Sequence, residues 1–114
     1  MRPKSLLLLL LLTGCSRGPE ADLQYVKQAR TASAEWALVN KLARQDRLTN
    51  VYTGSMRKWL REEIQSASSA LTQPDSRHAL EMHALLDQPD DAAPKELRAH
   101  SERLKQIEDQ LESA

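Results

Sequence analysis

The sequence of 114 residues has little cysteine, glycine or aromatic content: one Cys, three Gly, two Trp, two Tyr and no Phe. A single cysteine excludes an internal disulfide, so the folded part depends on packing alone. No charge of one sign dominates, since 16 Lys and Arg balance 16 Asp and Glu. Nucleic-acid binding requires clustered basic charge, so we expect no nucleic-acid partner. A chain of this length forms at most one small domain and is too short for most catalytic folds.

The longest hydrophobic stretch is a run of seven leucines at residues 6–12, preceded by Arg2 and Lys4. A membrane span needs about 20 apolar residues, and polar and helix-breaking residues follow at positions 13–19. A positive segment followed by a short apolar run is the order of a secretory signal peptide. A permanent transmembrane helix and an uncleaved tail with a free Cys15 are the alternatives.

The signal ends in Leu12, Thr13, Gly14 and Cys15, which resemble the lipobox of bacterial lipoproteins. The resemblance covers residues 1–16 and implies cleavage before Cys15, a diacylglyceryl group on its sulfur and usually an acyl chain such as palmitate on its new amino group. Several acyl chains would anchor the protein stably to membrane lipid. Ser16 stands where an Asp often retains such proteins in the inner membrane. The resemblance therefore favours the outer membrane, facing the periplasm, if the source is Gram-negative.

After cleavage, residues 15–114 would carry 14 basic and 16 acidic side chains. Leu, Ile and Val make up only 17 of these 100 residues, while 14 alanines favour helix. We therefore expect a helical domain of modest stability, to which a protein partner or self-association would contribute.

Apolar residues recur at steps of three and four along four segments, which predicts an all-α fold. We expect a signal peptide at 1–14, a lipidated tether at 15–22 and a helical domain at 23–114. Its helices are predicted at about 23–43, 50–71, 76–86 and 94–112. The four aromatic residues lie in the first two helices, which predicts an antiparallel helical hairpin as the main core. The two further helices would pack on this hairpin or on a partner, and one continuous helix at 22–71 is an alternative.

The same spacing predicts one apolar stripe in each of the four helices. In the first helix the predicted stripe is Tyr25, Ala29, Ala32, Trp36, Val39 and Ala43. In the second it is Tyr52, Met56, Leu60, Ile64, Ala67 and Leu71, with Trp59 beside it. The shorter third helix would bury Ala79, Met82 or His83, and Leu86. In the fourth the stripe is Leu97, His100, Leu104, Ile107 and Leu111.

No constellation for catalysis is present, because Cys15 would be lipidated and no serine lies in a Gly-x-Ser-x-Gly turn. We therefore predict neither an enzyme nor a cofactor. His78, Glu81 and His83 suggest a metal or small-ligand sensor, although a solvated polar face is the alternative, since paired ligands prefer a spacing of four. His100 is expected to pack half-buried with one hydrogen-bonded nitrogen, and its protonation is hypothesised to loosen the last helix.

A dense charged group, Arg57, Lys58, Arg61, Glu62 and Glu63, mixes signs and is typical of a solvated face. Its basic members are alternatively placed to touch anionic lipid. The predicted function is a small interaction or accessory module for a membrane-proximal complex, with binding residues unknown. A ligand sensor and a purely structural envelope protein are the alternatives.

Overall fold

The computed structural model describes residues 19–113, and within them the fold is all-α with no strand. A 3-10 helix at Pro19–Asp22, where the tether was predicted, leads into the first α-helix. The described ends of the four helices differ from the predicted ones by at most two residues. The helices are α1 (Leu23–Arg44), α2 (Asn50–Ser69), α3 (Arg77–Leu86) and α4 (Pro94–Glu112).

Local sequence signals account for the helix boundaries. The Thr49 side chain caps α2 by accepting a hydrogen bond from the Tyr52 amide, and Ser76 caps α3 in the same way. Pro94 occupies the first turn of α4, where its missing N–H costs nothing. Between α1 and α2 the chain turns at Asp46, whose φ of 56° lies in the left-handed region that Asp tolerates better than most residues. The first two helices are therefore separate.

Helix α1 is the centre of the domain, since it packs against both α2 and α4. Gln28 contacts the backbone of Glu63 and Asn40 contacts Arg57, so α1 and α2 are antiparallel. The C-terminal helix α4 shares the larger interface with α1, and α3 packs on α2 and α4. The expectation that the α1–α2 hairpin forms the main core is thus incomplete, because the C-terminal helices pack on their own hairpin.

The central position of α1 explains which core residues the apolar spacing identified and which it missed. Ala29, Ala32, Trp36 and Val39 are buried as predicted, whereas Tyr25 and Ala43 are only half-buried. A helix between two neighbours buries two faces, so its buried set is wider than one stripe. The additional buried residues of α1 are Val26, Ser33, Ala37 and Asn40.

The predicted stripe of α2 is one residue out of position at its N-terminal end. Leu60, Ile64 and Ala67 are buried as predicted, but Thr53 is buried in place of Tyr52. Successive residues differ by about 100° around a helix, so a face that buries Thr53 and Leu60 leaves Tyr52 and Trp59 at its edge. Both aromatic side chains are 50% exposed.

The predicted stripes of α3 and α4 are largely present. Ala79 and Met82 are buried in α3, as are the unpredicted His78 and Leu85, whereas His83 is exposed. The predicted residues of α4 are buried apart from the half-buried Leu111; the buried ones are Leu97, His100, Leu104 and Ile107.

Candidate functional site

Asp22 fastens the start of the domain to the region between α2 and α3. Its carboxylate is fully buried and accepts hydrogen bonds from the Thr72 amide, the Thr72 hydroxyl and His78 Nε2, each at 2.8 Å. Burial by itself would raise the pKa of Asp22, but these hydrogen bonds and the nearby His78 outweigh it and hold the pKa below its ordinary value. An Asp directly before a helix usually predicts an N-cap, but the Asp22 side chain makes no capping hydrogen bond to α1. The sequence would therefore have predicted a capping role that Asp22 does not have.

Replacing Asp22 with asparagine is expected to lower the free energy of unfolding by about 1–3 kcal/mol at neutral pH, because a buried carboxylate loses its charge-assisted bonds. Folding lowers the pKa of Asp22, so the ionised group stabilises the fold above the unfolded pKa of about 4. This contribution is lost as the pH falls through the folded value. Urea unfolding should show a steeper loss of stability from about pH 5 to pH 3 in the wild type than in Asp22→Asn.

The matched control is Asp75→Asn, which changes an exposed carboxylate near the same end of the domain. Its pH dependence should follow that of the wild type. Parallel profiles for the wild type and Asp22→Asn would contradict the role assigned to Asp22.

The three residues predicted as a possible metal or ligand sensor lie in three different environments. His78 is buried against Asp22, and Glu81 accepts hydrogen bonds from α4. His83 is exposed on α3. The structure therefore does not bring His78, Glu81 and His83 together as ligands of one ion.

His100 is buried rather than half-buried as predicted. Its Nδ1 lies 2.7 Å from Glu81 Oε1, which confirms the predicted hydrogen-bonded nitrogen. Arg103 Nε donates to the same oxygen at 2.7 Å, and Arg103 Nη2 lies 3.1 Å from His100 Nδ1. Glu81 and Arg103 are therefore the charged groups that face His100. The hypothesis that protonation of His100 loosens α4 stays a prediction.

Within residues 19–113, three possible metal ligands come together at Glu108, Asp109 and Glu112, with carboxylate oxygens within 4.8 Å of one another. Glu108 accepts from Arg30 at 2.6 Å, and Lys105 contacts Glu108 at 3.3 Å and Asp109 at 2.8 Å. Burial opposes ionisation of Glu108, but Arg30 and Lys105 hold its pKa below the ordinary value. These carboxylates belong to an ion-pair network between α1 and α4.

The loop between α3 and α4 is held by side chains of α1. Trp36 Nε1 donates to the Asp90 carbonyl at 2.9 Å, and Asn40 Nδ2 donates to the carbonyls of Asp90 at 3.0 Å and Ala92 at 2.8 Å. Asn40 is 1% exposed, and its Oδ1 accepts from Arg57. The predicted stripe of α1 omitted Asn40, although it lies four residues after Trp36, a predicted core residue, and therefore on the same side of α1.

Two of the three basic residues considered for lipid contact are engaged inside the domain. Arg57 Nε donates to Asn40 at 2.8 Å. Arg61 donates to the carbonyls of Gln88 and Leu86, each at 2.8 Å, and its guanidinium carbon lies 5.1 Å from the centre of the Trp36 ring. Only Lys58 of this basic set is exposed. Arg57 and Arg61 therefore bind groups within the domain, and this disfavours a basic lipid-binding face.

Three large apolar side chains of the α1–α2 hairpin are exposed: Leu38 at 52%, Tyr52 at 50% and Trp59 at 50%. Tyr52 and Trp59 are seven residues apart, which places them about 20° apart on α2, two turns from each other. We call the surface formed by Leu38, Tyr52 and Trp59 the hairpin face. Two other apolar side chains are exposed: Val51, which precedes Tyr52 in the first turn of α2, and Leu80 on α3.

An open groove of about 290 Å³ runs between α1 and α2 next to Trp59. Leu38 follows the groove residue Thr31 by seven positions and therefore lies on the same side of α1 as the groove, which Trp59 lines on α2. Its apolar floor contains Ala32 and Leu60, and both Glu35 and Glu63 line it. The other lining residues are Gln24, Lys27, Gln28, Thr31 and Trp59.

The predicted lipidation residue Cys15 and the rest of the lipobox, Leu12 to Gly14, lie outside the described residues. None of the helices within residues 19–113 combines the length and hydrophobicity that crossing a membrane requires. In comparisons with known proteins, no family model, curated protein or solved structure matches this chain.

Proposed function

We propose that this chain is a lipoprotein anchored through acylated Cys15 that uses its hairpin face to dock a membrane-proximal protein. In a Gram-negative source the proposed location is the outer membrane, facing the periplasm. The observation that carries the proposal is the hairpin face itself, where Leu38, Tyr52 and Trp59 are each about half exposed. Large apolar side chains grouped on one surface are typical of protein interaction sites.

The position of the folded domain relative to Cys15 supports docking close to a membrane. The described helices begin at Pro19, and four residues of extended chain reach at most about 14 Å. Buried Asp22 then ties this end to the Thr72 backbone and to His78 on α3, so the domain is held firmly where the proposed anchor meets it. A partner for an anchored domain would be within or next to the membrane surface.

The internal use of the basic side chains favours protein over lipid as the occupant of the exposed surface. Arg57 and Arg61 are bonded within the domain, and the groove beside the hairpin face contains Glu35 and Glu63. An anionic lipid surface would meet like charge in that groove.

Photocrosslinking in the membranes of the source cells tests the proposal. A photoreactive residue placed at Leu38 or Tyr52 in the full chain should give a discrete adduct with another protein. The matched control is the same residue at Gln106, which is exposed on α4 away from the hairpin. Adducts with lipid alone, or equal protein adducts from Gln106, would contradict docking through the hairpin face and would favour a structural envelope role.

A further inference from the structure

The groove beside Trp59 has the dimensions of a helix-binding site. Its lining residues on α1 extend from Gln24 to Glu35, which corresponds to about 16 Å, or three helical turns. A third helix lying along two packed helices contacts both through such a groove. The apolar floor formed by Ala32 and Leu60, with Trp59 half exposed, offers a surface for the apolar side of that helix.

The charge in the groove indicates the chemistry of its occupant. Glu35 and Glu63 form no ion pair with the described residues, and the i,i+4 neighbours Lys58 and Glu62 are not paired either. Lys27 also lines the groove, but its ammonium lies 3.1 Å from the Glu112 carboxylate on α4. The groove therefore presents two carboxylates that form no ion pair within residues 19–113, next to the ring of Trp59.

We propose that this groove binds an amphipathic helix of the partner protein that places a Lys or Arg side chain between Glu35, Glu63 and Trp59. The cation would form charge-assisted hydrogen bonds with the carboxylates and contact the Trp59 ring, while apolar residues of the same helix cover the groove floor. The inference rests on the proposed docking function and specifies the partner's chemistry. A second copy of this chain that paired groove to groove is disfavoured as the occupant, because four carboxylates would then come together.

Charge-reversal variants combined with crosslinking test this inference in the full chain in its own membranes. With the photoreactive residue at Thr31, the wild type should form a protein adduct whose mapped segment carries Lys or Arg within about one helical turn of the link. Glu35→Lys with Glu63→Lys should reduce the adduct about tenfold, and Glu35→Gln with Glu63→Gln should reduce it less. The matched control Glu102→Lys reverses an exposed carboxylate on α4 and should leave the yield within about twofold of the wild type.

Replacing the mapped Lys or Arg of the partner with Glu should restore the adduct with the double variant Glu35→Lys, Glu63→Lys. Such a restoration would show that the double variant is folded and that the loss was caused by charge. The inference is overturned if Thr31 gives no protein adduct, if the adduct is a second copy, or if charge reversal leaves its yield unchanged. If protein adducts still formed from Leu38 or Tyr52 in those cases, the proposed docking function would stand without this inference. If Leu38 and Tyr52 also gave no protein adduct, both the inference and the proposed docking function would be overturned.

Discussion

Replacing Trp36 with alanine is expected to lower the free energy of unfolding by about 3–5 kcal/mol, the usual range for a buried Trp. Trp36 is fully buried in α1, and its indole donates to the Asp90 carbonyl of the α3–α4 loop. The Arg61 guanidinium lies over its ring at 5.1 Å. The substitution therefore opens a cavity in the core beside α1. It also removes the hydrogen bond to the α3–α4 loop and the ring that the Arg61 guanidinium contacts.

Trp59→Ala is the matched control for this prediction, because it removes the same side chain from a position that is 50% exposed. We expect it to cost less than about 1 kcal/mol. In thermal unfolding followed by circular dichroism, about 4–8 °C of melting temperature is lost per kcal/mol in a domain of this size. Trp36→Ala should thus melt at least about 12 °C below the wild type. Similar losses in the two variants would contradict the central place of Trp36.

Replacing Cys15 with alanine is expected to abolish lipid labelling of the chain. The proposed anchor attaches through the Cys15 sulfur and the amino group that cleavage would create there, so alanine removes the acceptor of the first acyl group. Several acyl chains contribute about 0.8 kcal/mol per buried CH₂, so the variant should also leave the membrane fraction. Cells fed radioactive palmitate would be compared by immunoprecipitation and autoradiography.

Ser16→Ala is the control for this experiment, because it changes the neighbouring residue and leaves the cysteine in place. It should retain the label and the membrane association of the wild type. Equal labelling of the wild type and Cys15→Ala would contradict the proposed lipid anchor, whether or not the hairpin face binds a protein. Loss of the label without loss of membrane association would instead show that another contact holds the domain to the membrane.

The helices and their ends were predictable because they depend on residues only a few positions apart. Thr49 caps α2 through Tyr52, and Pro94 begins α4. The apolar spacing also identified most of the core, including Trp36 and Leu104. It failed at Tyr52, because a stripe defined by spacing alone does not say how far a helix is rotated toward its neighbour.

The candidate site was much less predictable, because its residues acquire their roles from partners distant in sequence. Asp22 meets His78 across 56 positions, and Asn40 meets Ala92 across 52. Neither Asp22 nor Asn40 was identified as a core residue from the sequence. Lipid contact by Arg57 and Arg61 was an alternative from the sequence because their hydrogen-bond acceptors lie on other elements of the fold. Arg57 donates to the Asn40 side chain on α1, and Arg61 donates to the Gln88 carbonyl after α3.

Because the sequence has one cysteine and few aromatic residues, the domain must be stabilised by packed helices. The spacing of its apolar residues determined where those helices lie. Only the tertiary structure decided that α1 lies between α2 and α4. As a result Trp36 is buried in the core, whereas Trp59 lies half exposed beside the groove that contains Glu35 and Glu63. The physical reason is that helix formation is local, whereas burial and charge pairing depend on which surfaces meet after the chain folds.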